Sequence, residues 1–70
     1  MKNENAEMIV NGKPVKFESI TLLDYLQQAG YDPSYVVAEI NMEIITRERF
    51  GEIMLARDDE INILRFMGGG

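Results

Sequence analysis

The chain has 70 residues, with 12 Asp and Glu against 7 Lys and Arg, which gives a formal net charge of −5 at pH 7. It has no Cys, His or Trp, which excludes disulfides, thiolate or imidazole catalysis and zinc-finger ligation within this chain. A domain of this size hides only about 60% of its unfolded surface, so a roomy buried active site is not expected. The acidic balance, without a basic run, argues against nucleic acid and anionic membranes and favours basic protein partners.

The two ends of the chain differ in character from its middle. Residues 1–7 are polar and without periodicity, and we expect a disordered leader or an extension ahead of the first strand there. Residues 8–67 carry the signals of one folded domain, and residues 68–70 are expected to form a flexible glycine tail. No stretch approaches the roughly 20 apolar residues of a membrane span, and no secretory signal peptide is present. A cytoplasmic location is therefore expected.

The first folded segment is predicted to be a β-hairpin. The dipeptide Asn11-Gly12 suits the positive φ angles of a two-residue turn, and short β-type runs flank it at 8–10 and 15–17. Alternation sends four apolar side chains to one face: Met8, Val10, Val15 and Phe17. Ile9 then lies on the opposite face, away from the core.

A single helix is predicted after the hairpin. Thr21 is suited to be its N-cap, Asp24 follows at the capping-box position, and Gly30 is suited to end it. One apolar stripe follows at helical spacing: Leu22, Tyr25, Leu26 and Ala29. The helix can therefore lie across a sheet.

The second half of the chain contains shorter elements. They are a third strand from Tyr35 to Ile40, a turn at 41–43, a fourth strand at Ile44-Ile45 and one helical turn from Arg47 to Phe50 capped by Thr46. The acidic triplet 58–60 precedes the last strand. Three consecutive acids on a turn point in different directions, so we interpret the triplet as a solvated loop and predict no metal site.

This order of elements predicts an α+β fold. A hairpin, a right-handed crossover through one helix and further strands form a mixed sheet of about four to five strands, with one main helix and a short helical turn. The two ends of the chain supply the best candidates for central strands. This is the arrangement of the β-grasp, or ubiquitin-like, fold.

The last strand has two apolar faces, of which one must be the core face. We assign Ile61 and Ile63 to the core, with Arg65 on the same face where the strand runs beyond the sheet. Leu64 and Phe66 are then exposed, and they would form a docking surface together with Ile9 if the first and last strands pair in parallel. The alternative is the reversed assignment, in which Leu64 and Phe66 are core, because a one-residue slip exchanges the faces.

The sequence ends in Gly68-Gly69-Gly70. Without Cβ atoms, such a tail is thin enough to thread a narrow channel, and its ionised α-carboxylate is an unhindered nucleophile toward an activated phosphate. The alternative is a frayed end or a linker without a function.

Four features resemble the ThiS family, the sulfur carriers of thiamine biosynthesis, and the resemblance covers about residues 8–70. They are Ile9-Val10-Asn11-Gly12, Thr21-Leu22-Leu23-Asp24-Tyr25-Leu26, the segment from Ile40 to Arg47, and Asp59-Glu60-Ile61 leading to Gly69-Gly70. The terminal pair and the overall length are the most specific. Two departures are Thr46, where the family often has proline, and a longer N-terminal segment.

The resemblance implies a carrier rather than an enzyme. The Gly70 carboxylate would be adenylated with ATP by a ubiquitin-activating-type adenylyltransferase, and sulfur from a cysteine desulfurase or another persulfide donor would convert it to a thiocarboxylate. Thiazole synthase would then receive the sulfur. The carrier itself would bind no cofactor and no metal, and Gly68 and Gly69 would fit the partner's channel.

Three alternatives remain from the sequence. The small subunit of molybdopterin synthase uses the same thiocarboxylate chemistry, although its chains are usually longer. A ubiquitin-related protein modifier would transfer its acyl group to a lysine. A β-grasp interaction domain would have glycines without a chemical role.

Overall fold

The computed structural model describes residues 6–66. Its elements, in chain order, are β1 (Glu7–Val10), β2 (Lys13–Lys16), α1 (Leu22–Gln28), a 3-10 turn (Pro33–Tyr35), β3 (Val36–Ile40), β4 (Glu43–Ile45), a second 3-10 turn (Arg47–Arg49) and β5 (Glu60–Arg65). The strands form one sheet in the order β2-β1-β5-β3-β4. β5 runs parallel to β1, and the other neighbours are antiparallel. The predicted mixed sheet, with the end strands at its centre, is confirmed.

The predicted hairpin is present, and its turn has the expected geometry. Asn11 and Gly12 have φ angles of 52° and 83°, and Val10 pairs with Lys13 across them. Positive φ at both turn residues matches the right-handed twist of the two strands. β1 begins at Glu7, one residue earlier than predicted, and residues 1–5 of the predicted leader lie outside the described part of the chain.

The helix also begins where its capping residue predicts. Thr21 Oγ1 accepts a hydrogen bond from the Asp24 N–H at 3.1 Å, and Gly30, just past the end, has φ of 89°. Leu22 and Leu26 are fully buried against the sheet. Ala29 differs from the predicted stripe, because the helix ends at Gln28 and the Ala29 side chain is exposed at its C-cap.

The core lies between α1 and one face of the sheet. The long connection from β4 to β5 closes one end of it with the buried side chains of Phe50 and Leu55. That connection runs past the start of the helix, where the Leu22 N–H donates to the Ile53 carbonyl at 2.8 Å. The remaining buried members come from the helix and from four strands: Met8, Val10, Leu22, Leu26, Val36, Ala38, Ile40, Ile45, Ile61 and Ile63.

The helical turn after β4 is formed by its backbone and not by the predicted side-chain cap. Thr46 occupies the N-cap position, but its side chain makes no capping hydrogen bond. The Arg49 N–H donates to the Thr46 carbonyl at 2.9 Å instead, and the turn is a 3-10 turn of 3 residues. Its function in the fold is to bring Phe50 into the core.

The acidic triplet is not the uniformly solvated loop that the sequence predicted. Asp58 and Glu60 are exposed, but Asp59 is buried. The Asp59 carboxylate accepts hydrogen bonds from Asn41 Nδ2 at 2.9 Å and from the Ala56 N–H at 2.8 Å. It therefore ties the β3–β4 turn to the segment ahead of β5. No group of three or more potential metal ligands occurs within residues 6–66, and no helix there is long and apolar enough to cross a membrane.

Candidate functional site

β5 separates its apolar side chains as predicted. Ile61 and Ile63 are 1% and 4% exposed, whereas Leu64 and Phe66 are 66% and 48% exposed. The reversed assignment, with Leu64 and Phe66 in the core, is therefore wrong. Large apolar side chains left in solvent next to the C-terminal segment are the feature expected of a docking surface.

The neighbours of these two side chains come from β3 and the turn before it. Val37 lies directly opposite Leu64 in the sheet and is also exposed. The rings of Tyr35 and Phe66 pack edge to face with centroids 6.2 Å apart, and the Phe66 N–H donates to the Tyr35 carbonyl at 3.0 Å. We call these four residues, Tyr35, Val37, Leu64 and Phe66, the tail-end patch. The sequence alone did not predict Tyr35 and Val37 as part of this surface, because only the register between β3 and β5 brings them there.

Ile9 does not belong to the tail-end patch, contrary to the prediction. Although β1 and β5 are parallel, Ile9 pairs with Glu60, at the start of β5. Leu64 lies four residues further on, about 13 Å along the strand. The reason is that β1 turns back at Asn11 after pairing with only the first residues of β5. Ile9 is half-buried at the far end of the same face.

Two asparagines hold β5 where its neighbours turn away. The Asn11 N–H donates to the Ile61 carbonyl at 2.8 Å, and its Oδ1 accepts from the Ile63 N–H at 2.7 Å. On the other side, the Asn41 N–H donates to the Glu60 carbonyl at 2.8 Å, and its Oδ1 accepts from the Glu60 N–H at 2.9 Å. In each case a side-chain oxygen accepts the β5 N–H bond that the backbone of a neighbouring strand would otherwise accept. β5 is therefore held along both of its edges.

Arg65 lies on the helix face of the sheet as predicted, but it is still paired with Val36 of β3 and does not run beyond the sheet; its side chain is exposed and packs on an aromatic ring. Its guanidinium carbon lies 4.8 Å from the centroid of the Tyr31 ring, within the range of a cation–π contact. The Tyr31 hydroxyl accepts a long hydrogen bond, 3.4 Å, from Asn11 Nδ2. Nearby on the helix, burial raises the pKa of Tyr25, and Tyr31 and Glu18 raise it further, so its phenol is neutral at physiological pH. The end of β5 thus carries the apolar tail-end patch on one face of the sheet and the cationic Arg65 side chain on the other.

The predicted carrier residues Gly68, Gly69 and Gly70 lie outside the described residues. Gly70 follows Arg65 by five residues, and a fully extended chain of that length spans at most about 18 Å. Any partner site that receives Gly70 must therefore lie within about 18 Å of the end of β5. The tail-end patch is the exposed apolar surface at that place.

Comparisons with known proteins agree with the fold. The model of the ThiS family matches residues 6–70. The sulfur carrier protein ThiS of Bacillus subtilis is 40% identical over 63 residues, which cover 87% of this chain and 96% of that protein. The crystal structure of a thiamine biosynthesis protein (ThiS) from Geobacter metallireducens superposes with a TM-score of 0.77 at 34% identity, covering 91% of this chain and 99% of that one.

A third relative is much longer than this chain. A thiazole synthase of Magnetococcus marinus is 36% identical over 62 residues, which are 87% of this chain but only 19% of that protein. The chain thus spans about a fifth of that relative's length.

The fold and the surface define a ubiquitin-like β-grasp domain with an exposed apolar patch at the end of its last strand. The family match and the Bacillus relative go further: the chain belongs to the ThiS family. It is accordingly a sulfur carrier protein of thiamine biosynthesis and not an enzyme, as the sequence predicted.

Proposed function

We propose that this chain carries sulfur as a thiocarboxylate on Gly70. The observation that supports this most directly is that the match to the ThiS family extends through the terminal glycines to residue 70. The structure adds an exposed apolar patch within reach of that residue, where a partner enzyme can dock. Apart from the Gly70 carboxylate, the carrier needs no nucleophile or base of its own, because its partners supply them.

The proposed chemistry has two steps. The Gly70 carboxylate attacks the α-phosphate of ATP in a ubiquitin-activating-type adenylyltransferase, which releases pyrophosphate and leaves an acyl adenylate. A sulfur nucleophile from a cysteine desulfurase or another persulfide donor then attacks the acyl carbon and displaces AMP. When the nucleophile is a persulfide, the product is an acyl disulfide, and a second thiol of the donor protein cleaves its S–S bond, which releases the thiocarboxylate and leaves a disulfide on the donor. With sulfide as the nucleophile, the products are the thiocarboxylate and AMP. The partner binds the ATP. Because this activation consumes ATP, we also propose that the protein is located in the cytoplasm.

Thiazole synthase is the proposed acceptor of the sulfur. The support comes from the Magnetococcus protein, which is named a thiazole synthase and contains a segment similar to most of this chain. A carrier that delivers sulfur to such an enzyme must present Gly70 to its active site, after the adenylyltransferase has released it.

The proposed function is tested by intact mass spectrometry. The protein is incubated with ATP, the adenylyltransferase of the same host and a sulfide source, and its mass is compared before and after. We expect a mass gain equal to the exchange of one oxygen for sulfur, localised to Gly70. An unchanged mass, with an adenylyltransferase that is active on another carrier, would contradict the proposal and leave an interaction domain as the better interpretation.

A variant at the tail separates chemistry from folding. Gly69→Val adds a branched side chain where the partner channel is expected to be narrow and restricts the backbone. We expect pyrophosphate release to stop while thermal unfolding stays unchanged. Normal adenylation of this variant would contradict a channel-threading tail.

A further inference from the structure

The backbone of β5 alternates in the direction of its hydrogen-bonding groups, and this decides which of them remain available. In the antiparallel pairing with β3, the even-numbered residues of β5 direct their backbone N–H and carbonyl groups toward β3. The Asn41 N–H donates to the Glu60 carbonyl at one end, and the Phe66 N–H donates to the Tyr35 carbonyl at the other. The odd-numbered residues therefore direct their N–H and carbonyl groups to the opposite side, toward β1.

The β1 side of β5 is only partly covered. β1 pairs there with Glu60 and Ile61, and the Asn11 side chain accepts from the Ile63 N–H. Within residues 6–66, no group donates to the Ile63 carbonyl and no group accepts from the Arg65 N–H.

The open edge is bounded by side chains on both faces of the sheet. Leu64 and Phe66 flank it on the exposed face, and the Arg65–Tyr31 contact flanks it on the helix face. An unpaired strand edge of this kind is a template for an added strand. Backbone hydrogen bonds then supply affinity, and the pockets for alternate side chains supply specificity.

We propose that an extended segment of the activating enzyme pairs with this open edge, accepting from the Arg65 N–H and donating to the Ile63 carbonyl, so that it adds a strand to the sheet. The inference rests on the proposed function, because it takes the activating enzyme as the partner that receives Gly70. Strand pairing at Arg65 fixes the register of the chain five residues before the reacting carboxylate. In-line attack on a phosphate depends on such positioning of the reacting atoms.

Amide hydrogen exchange tests the pairing directly on the unmodified protein. The adenylyltransferase of the same host is used, after pyrophosphate release has shown that it activates this carrier. In the free protein we expect fast exchange at the Arg65 amide and slow exchange at the Leu64 amide, which pairs with β3. At saturation with the enzyme, Arg65 exchange should slow by at least about tenfold, the effect of one hydrogen bond.

Proline substitution gives a second, independent measurement. Arg65→Pro removes an N–H that the β3–β5 ladder does not use, so the fold should be kept, and Arg65→Ala is the matched control that removes only the Arg side chain. We expect Arg65→Pro to bind the adenylyltransferase about five- to tenfold more weakly than Arg65→Ala. If Arg65→Pro does not fold, the exchange measurement decides alone.

Three results would overturn the inference. They are unchanged Arg65 exchange at saturation, equal affinities of the two folded Arg65 variants, and protection of Arg65 by thiazole synthase but not by the adenylyltransferase. If the wild-type protein gives no pyrophosphate release with an enzyme that is active on another carrier, the proposed function itself has failed. The two failures are therefore distinguishable.

Discussion

Met42 has the least favourable backbone conformation among the described residues. Within residues 6–66, four residues other than glycine have positive φ, and Asn11, Asn41 and Asp58 are of the types that tolerate it. Met42, with φ of 72°, is not. It occupies the second position of the β3–β4 turn, where Gly12 stands in the β1–β2 turn. Its side chain is 87% exposed, so packing does not compensate for the strain.

Met42→Gly should therefore stabilise the protein. Relief of the left-handed conformation contributes about 1–2 kcal/mol, and the greater freedom of glycine in the unfolded chain costs about 0.5–1 kcal/mol. A net gain of about 0.5–1 kcal/mol, a rise of a few degrees in the unfolding midpoint, is expected in thermal or urea denaturation.

Asn41→Gly in the same turn is the matched control, and its effect should have the opposite sign. It removes the side-chain bonds to Asp59 and to the Glu60 N–H, at a cost of about 1–2 kcal/mol. If Met42→Gly is instead less stable than wild type, the Met42 side chain stabilises the fold despite its exposure.

At the scale of elements, β5 depends on polar groups that lie outside the strands. Asp59, just ahead of β5, accepts from Asn41 Nδ2 and from the Ala56 N–H, and Asn41 in turn bonds to the backbone of Glu60. The β3–β4 turn, the loop before β5 and the start of β5 are joined in this way. Loss of the carboxylate leaves two donors in this partly buried network without an acceptor.

Asp59→Ala should destabilise the protein by about 1–2 kcal/mol, because two donors of a partly buried network lose their acceptor. Asp58→Asn is the control, because Asp58 is exposed and asparagine tolerates its φ of 66°. The control should stay within about 0.5 kcal/mol of wild type in urea unfolding. Equal effects of the two substitutions would argue against the described network.

The sequence predicted those elements whose signals are local. Asn11-Gly12 and Thr21 each determine a turn or a helix start through their own backbone and side-chain chemistry. The position of Ile9 was wrong because the offset between parallel strands is set by distant parts of the chain and has no local signal. The buried state of Asp59 was missed for the same reason, since its partner Asn41 is 18 residues away.

At the scale of the whole molecule, exposed apolar side chains differ in their distance from the tail. Leu64 and Phe66 lie at the end of β5, whereas Met54 is exposed beside the start of the helix, where it bridges to Thr21. If the tail-end patch is the docking surface, only the first group should matter for binding to the adenylyltransferase.

Phe66→Ala should weaken binding to the adenylyltransferase by about 1–3 kcal/mol, the range expected of an aromatic hot spot. Met54→Ala is the matched control, with a similarly exposed apolar side chain, and should leave the affinity unchanged. Titration calorimetry gives both values, and circular dichroism shows whether the variants fold. Equal affinities of folded Phe66→Ala and wild type would exclude Phe66 from the interface.

The central position of β5 has a consequence for how the protein is made. β1–β2 and β3–β4 are local hairpins, and β5, the last of the five strands to be synthesised, joins them. Two-stranded hairpins are only marginally stable by themselves, so a nascent chain whose β5 is still within the ribosome has no stable sheet. Folding therefore awaits the release of β5. A chain that stops short of β5 is expected to stay unfolded and open to proteolysis.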